Sequence, residues 1–439
     1  MNILIVGSGA REHAIAQALH RSPQKPAIFC CGTATNPGIK QMTHNYWVGD
    51  ICNAEAVAAV AAGWQISLAI IGPEAPLEKG LADALWNHAI PTIGPRKSQA
   101  RIETSKEFAR DLMQKYHIPG LPAYRAFHSM DGVTAFLHEL GKDGYVIKAN
   151  GLMSGKGGKV AGDHLHSFAE AEAFCQSLIE NDQSFVIEEK LIGQEFSLMG
   201  FCDGQTFVPM PVVQDHKRAH VNDEGPNTGG MGSYTDVNHS LPFLQPHDVS
   251  DALNINEAVL KALTQEVPGK FIGILYGSFI VTAKGLYVIE FNARLGDPEA
   301  LNVLSILRSD FVALCEAMVT GSLKPEMVEF DQKATVCKYA VPEGYPDEPV
   351  KNTPIEISAV KNKAYLYLSA VDAVDGVIYA IGSRAAAYVG VAETITAAEK
   401  IAETEVCAIG GRLYHREDIG TERLIQQRVD AMRRLREAE

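Results

Sequence analysis

Positive charge is scarce in this chain. Its 439 residues carry 39 Lys and Arg against 53 Asp and Glu, a net charge of -14. Such a field repels polyanions, so nucleic acid is not expected as a partner. Long apolar runs are missing as well: the most apolar stretch, residues 271–283, is interrupted by glycines and falls short of the about 20 residues that a membrane span needs. No membrane partner is expected. The opening residues lack the basic segment and small-residue cleavage site of a secretory signal, which predicts a cytoplasmic chain. None of the eight cysteines forms a Cys-x-x-Cys pair, so neither disulfides nor structural zinc is expected and the thiols read as small core residues.

What is present is a folded composition, 46% hydrophobic and 21% charged, well away from that of disordered chains. The length allows roughly three domains of about 150 residues each. Up to about Pro95, short apolar runs at 3–6, 27–30, 67–71 and 91–94 alternate with amphipathic stretches, the mark of βαβ units on a parallel sheet. Residues 96–116 predict one long helix, ended by the turn at 118–122. Strands at 145–149, 159–161 and 184–189 frame a second block with a helix from Ser167. Further strands over 195–213, a long loop at 215–234, a helix near 248–265 and a hairpin around 283–285 form a third. Past a linker at 327–331, short strands and a helix at about 394–407 predict a small α+β cap.

Several segments permit chemistry. Gly7-Ser8-Gly9 follows the first strand, where glycines bring amides and a helix N-terminus near a phosphate; position 12 is Glu instead of a third glycine. A dinucleotide site, a simple phosphate seat and a plain tight turn all remain open. The segment from Lys148 to Lys159 holds Gly155, Gly157 and Gly158 with Lys148 and Lys156, the makings of a phosphate-covering flap or of an ordinary basic hairpin. Glu290, Asn292 and Arg294 fall on one face by strand alternation, a carboxylate and an amide suited to Mg²⁺ beside a guanidinium suited to phosphoryl charge, or a solvated face with a salt bridge. Glu188, Glu189 and Glu195 sit just past a strand, where carboxylates reach ribose hydroxyls or simply face water. The polar 215–234 loop is long enough to be either functional or disordered, and its specific charged and glycine positions favour function.

Taken together, the segments at 7–14, 72–80, 105–108, 147–157, 214–218, 225–234 and 289–299 resemble the ATP-grasp superfamily, and within it the phosphoribosylamine–glycine ligase family. The most specific are GPNTGGMG at 225–232 and EFNARLGDP at 290–298. The resemblance spans essentially the whole chain. It implies an α/β and α+β multidomain fold: a Rossmann-like N-terminal parallel sheet (1–104), a two-lobed ATP-grasp domain (105–326, with 123–190 as the mobile small lobe) and a C-terminal α+β cap (327–439). It implies ATP-dependent joining of glycine to 5-phosphoribosylamine through glycyl phosphate, with ATP as a substrate and Mg²⁺ or Mn²⁺ as the metal. A monomer is expected, with a dimer as the alternative.

By position, the resemblance assigns Lys106 and Lys148 to the ATP phosphates, Gly155, Lys156 and Gly157 to the flap, and Glu188, Glu189 and Glu195 to adenine and ribose. Glu290 and Asn292 match metal ligands, and Arg294 and Asp297 match positions that steady the acyl phosphate and the glycine amine. Gly9, Glu74, Asp215, Thr228, Gly229, Gly230, Met231 and Arg384 match substrate positions. The chain departs from the pattern at Asn150, where many members carry Asp, and at Tyr276-Gly277-Ser278, where many superfamily enzymes carry a further acidic ligand. Another ATP-grasp ligase, a nucleotide-dependent oxidoreductase and a non-catalytic nucleotide sensor are the rival readings.

Overall fold

Strands Asn45–Val48, Ala27–Gly32, Asn2–Val6, Leu68–Ile71 and Thr92–Ile93 lie in that spatial order in a parallel five-stranded sheet. The computed structural model describes residues 1–152 and 157–437; Gly155 and Lys156 of the expected flap lie outside them. Ile3, Leu4, Ile5 and Val6 are fully buried because helices cover both faces of a parallel sheet, and that is why the strand reads as an unbroken apolar run. The edge strand Asn45–Val48 left no such signal, since all four of its residues are partly or fully exposed. The strand order reverses next to Asn2–Val6, and the carboxyl ends of this strand and of Leu68–Ile71 open a crevice there.

The single helix expected over 96–116 is two, Lys97–Thr104 and Lys106–Lys115. Ser105 between them is extended (φ -138°, ψ 108°), and its hydroxyl accepts the Phe108 N–H at 3.2 Å. A serine N-cap therefore stops one helix and starts the next, which sets Lys106 in a first turn beside the ATP-grasp lobes.

The small lobe is an antiparallel sheet ordered Tyr124–Phe127, Phe185–Glu189, Tyr145–Ala149, Gly158–Val160. Helices Val133–Leu140 and Phe168–Glu180 belong to it. Phe127, Phe136, Tyr145, Ile147 and Phe185 form a core of its own, apart from the main one. The large lobe is the sheet Phe207–Pro209, Gly193–Asp203, Ile272–Thr282, Gly285–Asn292, backed by helix Pro246–Glu266.

The 215–234 segment is not a loop. It holds strands Arg218–His220 and Glu224–Asn227, paired as a hairpin, and strand Gly232–Thr235, which joins Ala334–Pro342 of the cap. Polar residues form strands here because the support is ionic: buried Arg416 donates to the Arg218 carbonyl at 3.1 Å and to Asp223 Oδ1 at 3.0 Å. In the cap, Ala334–Pro342 also pairs with Ala386–Ala392 under helix Ile395–Val406. A terminal helix, Glu422–Glu437, had no counterpart in the sequence reading. No helix among the described residues is long and apolar enough to cross a membrane.

Candidate active site

Glu290 stands near the end of strand Gly285–Asn292, with no hydrogen-bond partner for its carboxylate among the described residues. Burial alone would push its pKa up; Lys217, Lys148, Lys106 and Arg294, converging from four segments, hold it below the usual carboxylate range. Strand pairing explains the convergence. Ser278 opposes Glu290 but Phe279 opposes Val288, so Ile289 bulges out of register and turns its carbonyl to Lys148 Nζ (3.1 Å) and Arg110 Nη2 (2.7 Å). Phe291 is buried on the opposite face, and Asn292 Oδ1 accepts from Arg294 Nη2 at 3.4 Å. Hard oxygen donors, one of them an uncommitted carboxylate, are the set a magnesium-like cation takes.

The three acids expected at adenine and ribose separate. Glu188 is buried, with Oε1 on Arg110 Nε (2.7 Å) and Oε2 shared by Arg110 Nη2 (3.0 Å) and Lys148 Nζ (2.7 Å). Burial would raise its pKa, but Arg110 and Lys148 bring it down to about 2. Both oxygens are taken by Arg110 and Lys148, so Glu188 holds the lysine in place. Glu189 accepts the Ala123 N–H at 2.8 Å. Glu195 pairs with Lys217 at 3.0 Å; Glu195 first, with Glu290 and Asp215 behind it, keeps the Lys217 ammonium above its ordinary range. In the sequence reading Arg110 has no role, and Lys217 appears only as part of the 214–218 segment.

Lys106 donates through its backbone N–H to Asn150 Oδ1 (2.8 Å) and through Nζ to the Gly151 carbonyl (2.9 Å). Burial, opposed by Glu290, lowers its pKa. Asn150 also donates to Ser184 Oγ at 3.1 Å, so the residue that departs from the family pattern ties the helix start to the beginning of strand Phe185–Glu189. Gly157, just before strand Gly158–Val160, accepts the Ala149 N–H through its carbonyl at 2.9 Å.

Arg294 lies between two carboxylates, Glu74 Oε2 (3.3 Å) and Glu103 Oε1 (3.2 Å). Burial opposes ionisation of Glu74, but Arg294 and Arg11 hold it down at about 2. Glu103, which the sequence reading did not single out, accepts the Ala293 N–H at 2.7 Å, and burial raises its pKa.

At Gly7-Ser8-Gly9 the turn is built around Glu12. The Gly9 N–H donates to Glu12 Oε2 at 2.6 Å, so an internal carboxylate occupies the helix N-terminus. A Cβ at Gly72 would lie 1.9 Å from Glu12 Oε1, and one at Gly7 2.8 Å from Glu12 Cδ. The glycines make room for Glu12, which is why Glu stands where a dinucleotide fold has its third glycine.

Asp215 Oδ1 is buried and unpartnered, and burial with Glu299 nearby raises its pKa well above the usual value. Around it, Thr228 Oγ1 donates to the Lys217 carbonyl (2.8 Å) and accepts from Gly230 N–H (3.0 Å), and Met231 is fully buried. Arg384 is spent on protein groups: Nη1 donates to the carbonyls of Gly229 (2.6 Å), Gly230 (3.1 Å) and Asp297 (3.0 Å), and Nη2 pairs with Asp297 Oδ2 at 3.2 Å. The guanidinium also lies 4.4 Å from the Tyr339 ring centroid, and Tyr339 Oη donates to Asp297 Oδ1 at 2.6 Å. Arg384 thereby clasps the cap to the glycine loop. Tyr276, at the missing acidic position, donates to Glu299 Oε1 at 2.6 Å.

Residues 1–103, 104–300 and 335–422 match the N, ATP-grasp (A) and C domains of phosphoribosylglycinamide synthetase. A phosphoribosylamine–glycine ligase of Methanocella arvoryzae is 46% identical over 99% of this chain and 100% of its own, and one of Methanosarcina barkeri is likewise 46% identical, with the same coverage. The crystal structure of a phosphoribosylamine–glycine ligase from Thermotoga maritima superposes with a TM-score of 0.81 at 27% identity, covering 95% of this chain and 100% of that one. A biotin carboxylase domain of Hydrogenobacter thermophilus, solved with MgADP, shares the fold at a TM-score of 0.71 and 14% identity, over 100% of this chain and 95% of that domain. The chain belongs to the phosphoribosylglycinamide synthetase family of ATP-grasp ligases.

Proposed function

We propose that the chain joins the carboxylate of glycine to the amine of 5-phosphoribosylamine at the expense of ATP, through glycyl phosphate, giving glycinamide ribonucleotide, ADP and phosphate for purine biosynthesis. The observation that carries this reading is the convergence of Lys106, Lys148, Lys217 and Arg294 on the uncommitted Glu290 carboxylate. Lys148, Lys217 and Arg294 are each also held by a further carboxylate, so the four cations are fixed in place and face a common space, the preorganised environment a triphosphate needs. Glu290 and Asn292 would hold a divalent cation of the Mg²⁺ or Mn²⁺ kind, which when bound supplies charge compensation at phosphate oxygens.

A carboxylate cannot expel oxide at neutral pH, so it must first be phosphorylated. Lys106 and Lys148 hold the ATP phosphates, and Lys148 is aimed by Glu188 and the Ile289 carbonyl. Arg294, held between Glu74 and Glu103, faces the oxygens that gain charge as the glycine carboxylate attacks the γ-phosphorus. The buried Asp215 oxygen has no partner among the described residues and, with Glu299 near it, receives the glycine ammonium; Asp297 and the 228–231 segment complete that wall. The amine of phosphoribosylamine then attacks the acyl carbon, phosphate leaves, and the amine proton passes to solvent or phosphate. Residues 1–104, 105–326 and 327–439 act as the three parts of the enzyme, and the 123–190 lobe closes over ATP to keep water from the acyl phosphate. The test is ADP release: it should require glycine and phosphoribosylamine together, and release that ignores either substrate would contradict the reading.

A further inference from the structure

Glu403, Cys407 and His415 form a side-chain cluster in the cap that ligation does not use. Glu403 Oε1 lies 3.0 Å from His415 Nε2 and 3.5 Å from Cys407 Sγ, and that sulfur lies 3.9 Å from the same nitrogen. A tetrahedral zinc with bonds of about 2.0–2.3 Å has ligand-to-ligand edges of roughly 3.3–3.6 Å. The three atoms already form such a face to within about 0.4 Å. Glu403 and Cys407 are one helical turn apart, at the end of helix Ile395–Val406, and His415 follows strand Leu413–Tyr414, so backbone elements on two sides fix the spacing.

Charge points the same way. Fully buried Lys338 donates to Glu399 Oε1 (2.7 Å), Glu403 Oε2 (2.5 Å) and the Glu417 carbonyl (2.8 Å). Its three ammonium hydrogens are thereby committed. One positive charge against two carboxylates leaves one negative charge over, shared by Glu399 and by Glu403, whose Oε1 is turned toward Cys407 and His415. Cys407 is exposed, so the open side of the triad admits an ion together with a water as fourth ligand.

We propose that Glu403, Cys407 and His415 bind a zinc-like divalent cation at the surface of the cap. A mixed oxygen, nitrogen and sulfur set selects this class over Mg²⁺, which takes oxygen alone. The expectation that the cysteines hold no zinc came from the lack of a Cys-x-x-Cys pair; a single cysteine joined by His and Glu from neighbouring elements leaves no such spacing. The site lies behind the catalytic wall. Lys338 and Tyr339 are successive strand residues that point to opposite faces, the first toward Glu403 and the second toward Asp297.

The test titrates Co²⁺ into the whole protein with excess Mg²⁺ present to occupy oxygen-only sites. A thiolate-to-cobalt absorption band should saturate near one equivalent, be abolished by Zn²⁺, survive in Cys52→Ser and vanish in Cys407→Ser. His415→Ala should weaken binding by more than the about 10- to 100-fold that loss of an outer-shell partner causes. In the unaltered protein, Zn²⁺ should slow alkylation of Cys407 and a chelator should restore it, a readout that needs no variant to fold. Absence of the band in the wild type, its persistence in Cys407→Ser, unchanged affinity in His415→Ala, or alkylation indifferent to Zn²⁺ would each overturn the site.

Discussion

Arg110 decides where Lys148 points. Its guanidinium grips both oxygens of Glu188 and the bulged Ile289 carbonyl, and Lys148 rests on the same two groups. Removing one partner of a buried ion pair costs about 3 kcal/mol or more, so Arg110→Ala should lower the melting temperature and raise the KM for ATP by about tenfold, the equivalent of about 1.4 kcal/mol. Arg110→Lys restores the charge without the two-pronged geometry, so part of the stability should return while the KM stays high; an ATP titration beside a thermal melt checks this, and an unchanged KM in both variants would remove Arg110 from the account. Buried histidines set the acid limit of stability. Burial lowers His13 from 6.5 to about 4 and lowers His216 to about 3. Between those values and 6.5 the unfolded chain takes up protons that the folded one refuses, so stability is full above about pH 6.5 and falls as pH drops. His13 alone contributes about 3 kcal/mol of that loss by pH 4, and melting temperatures between about pH 7 and 4.5 should fall less steeply in His13→Gln than in the wild type.

At the scale of elements, the Ser105 cap and the Arg384 clasp carry the site. Ser105→Ala removes an N-cap worth about 1 kcal/mol and frees the turn that aims Lys106, so it should reduce kcat/KM for ATP more than it reduces stability. Arg384→Ala should loosen residues 228–231, visible as faster amide exchange there, and impair glycine and phosphoribosylamine alike; a loss confined to phosphoribosylamine would make Arg384 a direct contact of that substrate instead of a clasp. The alternation of apolar runs made the parallel sheet legible, because strands buried on both faces must be apolar throughout. Asn45–Val48, exposed at the edge, could not announce itself that way. The Ser-Lys-Glu-Phe sequence at 105–108 did contain the helix break, but the polar face on either side of it runs on unbroken. The strands within 215–234 owe their pairing to Arg416, almost two hundred residues away, and no local pattern encodes that. Motif residues such as Glu290 and Arg294 were legible from their spacing, whereas Arg110 and Glu103 look like any charged positions on a helix until their partners from other segments are in place.

For the molecule as a whole, the small lobe has a core of its own, whereas the N-terminal sheet and part of the cap share the main core; on the proposed reading Lys148 and its strand move toward the large lobe as one body while that shared core stays in place. Amide exchange across 145–152 and 157–160 should therefore slow when an ATP analogue is added, with the five-stranded sheet unaffected; equal protection everywhere would mean a rigid molecule. Closure matters only if a water-sensitive acyl phosphate forms, and that is the central claim. Glycine labelled with oxygen-18 in its carboxylate is the direct test. Phosphorylation of the carboxylate followed by amine attack leaves one labelled oxygen in the inorganic phosphate released, and Glu290→Gln should abolish the transfer together with turnover. Product formed at the normal rate with unlabelled phosphate would contradict the account.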